Sequence, residues 1–179
     1  AIAMAGWREG EFDVLVGAWA VMEQPIPGTS VLIQQALGLG RSGIWAFDVN
    51  QTCLSFLTAL DVVAMGFAAG RFTRAVIVAS DIASAGLDRA DPQTFSIFGD
   101  GAAAVCVEAA ADRSGPGLIS RRFETYGDGK DLATLRSGGT RIRAEGRSKR
   151  CLTDRNSAWT RSASSRRRRD ACLSWSTAS

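Results

Sequence analysis

The chain has 179 residues, 46% of them hydrophobic, a formal net charge of +3, and no histidine. That length carries a domain with a sizeable core, and no apolar run approaches a membrane span. Residues 1–146 hold 12 Lys and Arg against 16 Asp and Glu, whereas residues 147–179 hold 9 against 2. The balances are −4 and +7, so the body offers no electrostatic case for binding nucleic acid.

No charged-then-apolar leader is visible, so no export signal is expected. Four cysteines without a C-x-x-C spacing argue against a metal site or a disulfide framework, and a reducing cytoplasm is the simpler setting. Without histidine, the usual general base near neutral pH is missing from this chain.

Phe12-Asp-Val-Leu-Val-Gly-Ala18 reads as a buried strand: a short apolar run closed by small residues. Pro25 and Pro27 mark a loop. Thr29 or Ser30 is placed to cap a helix running to about Leu37, ended by Gly38 and Gly40. A strand-like run, Ile44 to Asn50, then leads into a helix-like run, Cys53 to Gly70. Leu54, Leu57, Leu60, Val63, Ala64, Phe67 and Ala68 recur at helical spacing, and Phe56, Val62 and Met65 make other faces apolar. A central, buried helix is expected. Arg74 to Ser80 reads as another buried strand, so the helix is expected to link parallel strands in a β-α-β unit.

Pro92 is placed to begin a short helix. Phe98-Gly-Asp-Gly101 precedes a small-residue strand, Ala102 to Val107, with Leu118 to Thr125 a plausible antiparallel partner. From about Gly146 no period buries a face, and Arg and Ser dominate through Arg166–Arg169. The expectation is a partial domain over 1–146 and an irregular, disordered basic tail over 147–179. A lost reading frame or a cut near residue 146 is preferred over a nucleic-acid-binding tail.

Cys53 carries the chemistry. A thiol where a strand gives way to a helix meets unpaired N–H groups and the positive end of the helix dipole, which favour the nucleophilic thiolate. The other reading is a small, buried, apolar cysteine. Cys106 lies inside an apolar strand and reads as core; Cys151 and Cys172 lie in the irregular tail. Asp81 and Asp100 read as acceptors for turn amides.

Three stretches together carry a resemblance: Phe12 to Ala18 with the Pro25-Ile-Pro27 loop; Phe47-Asp-Val-Asn-Gln-Thr-Cys53-Leu-Ser-Phe-Leu-Thr-Ala-Leu60; and Phe98-Gly-Asp-Gly-Ala-Ala-Ala-Val105. In this order and spacing, the chain resembles β-ketoacyl-acyl carrier protein synthase III, among the thiolase-like condensing enzymes. The resemblance implies an α/β fold, here an incomplete half-unit of the layered α-β-α-β-α arrangement, with the family's first strands lying before Ala1 and most of its second half after about Glu145. It implies that Cys53 is acylated and that its N–H joins the oxyanion hole.

The family pattern Ala-Cys-Ser-Gly-Phe stands here as Thr52-Cys53-Leu54-Ser55-Phe56, so Ser55 replaces a glycine, and its bulk beside the nucleophile is expected to alter the acyl chain the pocket accepts. Ile26 matches a position, usually phenylalanine, that reaches the partner subunit's acyl pocket. Implied substrates are an acyl-coenzyme A and malonyl-acyl carrier protein, with no bound cofactor, in a cytoplasmic homodimer. The Arg74–Ser80 strand is implied to pair across that dimer. The family's histidine and asparagine belong to its second half, so this chain alone is expected to lack condensing activity. The alternatives are a non-catalytic dimerising fragment and a polyketide or olefin-pathway condensing enzyme.

Overall fold

The computed structural model describes residues 1–87, 89, 92–111, 117–130, 133–135, 160–161 and 173–175. Its first compact unit comprises Ala1–Asp81 and Gly101–Arg122. There, strands β1 (Val14–Ala18), β2 (Trp45–Val49), β3 (Arg74–Asp81) and β4 (Gly101–Glu108) form one sheet in the order β2-β1-β3-β4. β1 runs parallel to both β2 and β3, and β4 is antiparallel to β3. Helix α1 (Thr29–Ala36) links β1 to β2, and helix α2 (Ser55–Ala68) links β2 to β3.

The run Val14-Leu15-Val16 is continuously apolar because β1 is central and covered on both faces. Val14, Val16 and Ile77 pack with Ala59 and Val63 of α2, while Leu15 and Val76 turn to Ile33 of α1 on the other side. Each large aliphatic residue buried here stabilises the fold by about 1.5–3 kcal/mol. The opposite sidedness of the helices follows from the strand order. The chain moves from β1 outward to β2, then crosses back over β1 to β3. Right-handed crossovers in opposite directions leave their helices on opposite faces.

β2 and β3 flank α2 and run parallel, as the expected β-α-β unit, with β1 lying between them. Other expectations need correction. β3 has a partner on each side, so its backbone has no open edge to pair across a dimer. The stretch from Leu118 to Thr125 is not a strand, and Ile119 is 98% exposed; β4 itself is the antiparallel partner of β3.

α1 is capped by neither Thr29 nor Ser30. Asp48 of β2 reaches over and accepts from Thr29 N (2.7 Å) and Ser30 N (2.8 Å), placing a carboxylate at the positive helix end. α2 is not buried all round. Only Ser55, Ala59, Val63 and Gly66 are buried, a stripe with steps of four, four and three residues, while Leu57 and Met65 are exposed. The sheet covers one face, Phe56, Leu60 and Phe67 pack partly against the core beside it, and Asp61 meets Arg121. Gly66 is required by contact: a Cβ there would lie 2.0 Å from Phe72 Cζ.

The second unit comprises Ile82–Asp100 and Phe123–Ser179. It contains the short helix α3 (Pro92–Phe95), which begins at Pro92 as expected, and three short strands, β5 (Ala133–Leu135), β6 (Thr160–Arg161) and β7 (Leu173–Trp175). They form a sheet in the order β5-β7-β6. β6 and β7 fall where the sequence reading found no strand. Most of the tail over 147–179, with Cys151, Cys172 and Arg166–Arg169, lies outside the described residues.

Candidate active site

Three parallel strands end on one edge of the sheet, and the crevice beyond such carboxyl ends is the usual ligand position in α/β folds. β1 is followed there by Trp19 and Ala20, and β2 by Asn50 to Cys53. β3 ends at Asp81, whose carboxylate accepts from Ala20 N (3.0 Å) and Val21 N (3.0 Å). This matches the expected role of Asp81 as an amide acceptor. Asp100, in the second unit, likewise accepts from Ser84 Oγ and Ser84 N, and these bonds hold its carboxyl below the usual range.

Cys53 is exposed and lies in a 3-10 turn, Thr52–Leu54, that runs straight into α2. It is neither buried nor within the interior of the long helix. Leu54 N donates to Gln51 O (3.0 Å), and Ser55 N donates to Thr52 O. The Cys53 N–H therefore precedes the first backbone bond of this helical stretch, among the amides a helix leaves unpaired. An exposed sulfur and its own unpaired N–H together can capture a carbonyl and stabilise the oxyanion that forms on it.

The residue before Cys53 is unusual. Thr52 has φ 49°, the one non-glycine residue with positive φ among those described. For a β-branched side chain this costs about 1–2 kcal/mol and persists only where neighbours enforce it. The neighbours are visible. Asn50 Oδ1 accepts from Thr52 N (3.3 Å), and Asn50 Nδ2 donates to Ala20 O (3.2 Å). Thr58 Oγ1 of α2 hydrogen-bonds Gln51 Oε1.

Ser55 is 2% exposed, and its hydroxyl is engaged by Gln51, Thr52 and Trp19. Ile26 lies apart from this network, on the loop between β1 and α1. Its side chain is 86% exposed, and its carbonyl accepts from Gln24 Nε2 (2.8 Å). Cys53 and Ser55 thus share one turn, whereas Ile26 shares only the sheet edge.

The sequence reading missed Asn50, Thr52 and the Trp19 carbonyl. An Asx residue at a strand end is a weak signal for Asn50. Nothing in a Thr announces left-handed backbone. An apolar depression of about 530 Å³, lined by Ile2, Trp7, Ile33, Leu37, Val76 and Val78 among others, does not include Cys53. Among the described residues no cluster of potential metal ligands is found, and no helix is long and apolar enough to cross a membrane.

Parallel strands closed by an antiparallel one, helices on both faces and a cysteine at the head of the second helix define a thiolase-like half-unit. A profile of the family described as 3-Oxoacyl-[acyl-carrier-protein (ACP)] synthase III matches residues 47–127. The chain is 35% identical over 139 residues to the beta-ketoacyl-[acyl-carrier-protein] synthase III of Erythrobacter litoralis, covering 77% of this chain and 43% of that one. The crystal structure of a 3-oxoacyl-(acyl carrier protein) synthase III from Pseudomonas aeruginosa superposes with a TM-score of 0.72 at 31% identity, over 82% of this chain and 44% of that one. The corresponding Aquifex aeolicus structure gives 0.70 at 27%, over 85% and 48%. The chain belongs to the β-ketoacyl-acyl carrier protein synthase III family, and spans under half the length of these relatives.

Proposed function

We propose that this chain supplies the acyl-capturing half of a condensing enzyme that starts fatty-acid synthesis. The Cys53 sulfur attacks the thioester carbonyl of an acyl-coenzyme A. A new C–S bond forms, the bond to the coenzyme A sulfur breaks, and coenzyme A leaves as the thiol with the proton Cys53 gave up. No electrons are exchanged, so this step needs no redox cofactor. The Cys53 N–H donates to the transient oxyanion. The second substrate is malonyl-acyl carrier protein, whose decarboxylation yields the carbanion that takes the acyl group.

The observation that carries this reading is the exposed Cys53 at the head of α2, at the carboxyl edge of parallel strands. The chain holds no histidine, so the decarboxylating step falls to groups it does not contain. We expect acylation without condensation, in a cytoplasmic setting. Ile26, exposed on its loop, is proposed to enter a partner subunit's acyl pocket. For a homodimer joined through the sheet, the free edges are β2 and β4, not β3.

Incubation with acetyl-coenzyme A followed by peptide mass mapping tests the reading. One acetyl group on Cys53, absent in Cys53→Ser, is the expected result. An adduct on Cys106 instead, or none, overturns it.

A further inference from the structure

Two side chains hold both ends of the Thr52 residue. Ser55 Oγ lies 2.7 Å from Thr52 O and 2.8 Å from Trp19 O, and accepts the Gln51 N–H at 2.8 Å. A hydroxyl has one proton, so the two carbonyls share it. Asn50 accepts the Thr52 N–H and donates to Ala20 O. Both clips are therefore anchored on consecutive carbonyls, Trp19 and Ala20, immediately past the end of β1. Between them sits a β-branched residue at φ 49°. A backbone in that region does not hold itself there. The next residue along is Cys53, and its sulfur and N–H take their direction from Thr52.

We propose that Ser55 is a positioning residue, with Asn50 as its counterpart: its buried hydroxyl clamps the Thr52 turn to β1 and thereby aims the Cys53 sulfur and amide for acyl transfer. The side chain is buried and its hydroxyl is engaged by the backbone of Gln51, Thr52 and Trp19. The proposal rests on Cys53 being the acylated nucleophile, and its test is built to separate the two ideas.

The full chain, Ser55→Ala and Asn50→Ala are compared in three ways. The first is the rate of Cys53 acetylation by acetyl-coenzyme A, as a function of its concentration. The second is alkylation of each cysteine by iodoacetamide, which needs an accessible thiol but no oxyanion stabilisation: sulfur bonds to carbon, iodide leaves and the thiol proton goes to solvent. The third is hydrogen exchange of the peptide containing Gln51 to Ser55.

In Ser55→Ala the maximal acetylation rate falls about tenfold with little change in its half-saturating concentration. Cys53 alkylation stays within about twofold, because that reaction tolerates a misaimed thiol. Cys106, part of the β4 ladder, stays protected, and exchange at Gln51–Ser55 rises. Asn50→Ala shifts the same quantities by a smaller amount. Equal loss of acetylation and alkylation, or unchanged exchange in both variants, overturns the clamp. If Ser55→Ala exposes Cys106, that variant has unfolded and the exposed-site variant Asn50→Ala decides. If the parent chain is never acetylated, the functional reading fails. The clamp then stands or falls on hydrogen exchange alone.

Discussion

Two cysteines in this molecule occupy opposite kinds of site. Cys106 lies opposite Val76 in the β3–β4 ladder, with its side chain against the Phe12, Leu15 and Val76 cluster. Burial pushes its thiol up, so near neutral pH it stays protonated and weakly nucleophilic. Cys53 lies on an exposed turn whose backbone is held by side chains rather than by a ladder. The same functional group is thus silenced in one place and offered in the other. The difference comes from what surrounds each thiol: the β4 ladder packs one against an apolar cluster, whereas a turn feeding a helix leaves the other exposed beside its own unpaired N–H.

The strongest way to break this contrast is to loosen the sheet under α2. Gly66→Ala drives a methyl into the Phe72 ring. The overpacking outweighs the roughly 1 kcal/mol that the helix gains on losing glycine, for an expected net loss of about 2 kcal/mol in urea unfolding. Cys106 should then label faster, and the two cysteines should converge. A stability equal to that of the parent would show that Phe72 moves aside freely.

In the unaltered protein, iodoacetamide should label Cys53 about tenfold or more faster than Cys106 near neutral pH. The gap narrows as pH rises, because the Cys106 thiol then gives up its proton. Peptide mapping over a pH series checks this, and faster labelling of Cys106 near neutrality would contradict it.

Thr52→Gly sharpens the contrast with a smaller effect. Glycine relieves about 1 kcal/mol of left-handed strain but gives a similar amount back as freedom of the unfolded chain. Thermal stability should hold within about 0.5 kcal/mol, while exchange at the Cys53 turn rises.

The smallest effect belongs to the opposite end of the sheet. Asp13 accepts from Thr73 N (2.7 Å) and Arg74 N (3.0 Å), and these bonds hold its carboxyl below the usual range, Thr73 contributing most. A depressed carboxyl contributes stability in full above the unfolded value, near 4, and loses it as pH falls through the folded value. Asp13→Asn should lower the melting temperature by a few degrees near neutral pH and flatten its decline in acid, leaving Cys53 labelling unchanged.

Much of the fold was legible. The Val14-Leu15-Val16 and Val76-Ile77-Val78 runs mark strands because a doubly covered parallel sheet demands continuous apolar residues. The placement of Cys53 between β2 and α2 was legible for a similar reason, as the change from strand run to helical spacing falls at that residue. Less legible were contacts between distant segments. The cap of α1 is a carboxylate from β2, and β1 intervenes between two strands that are consecutive in the chain.

By itself, then, the order of residues determined which segments are strands or helices, where the nucleophile candidate sits, and which family the chain joins. These are local patterns, set by side-chain spacing along one segment. Only the tertiary structure decided that Thr52 is left-handed, that Ser55 and Asn50 grip it, and that α2 is covered on one face. Those outcomes depend on carbonyls, rings and carboxylates arriving from segments tens of residues away, which no local pattern encodes.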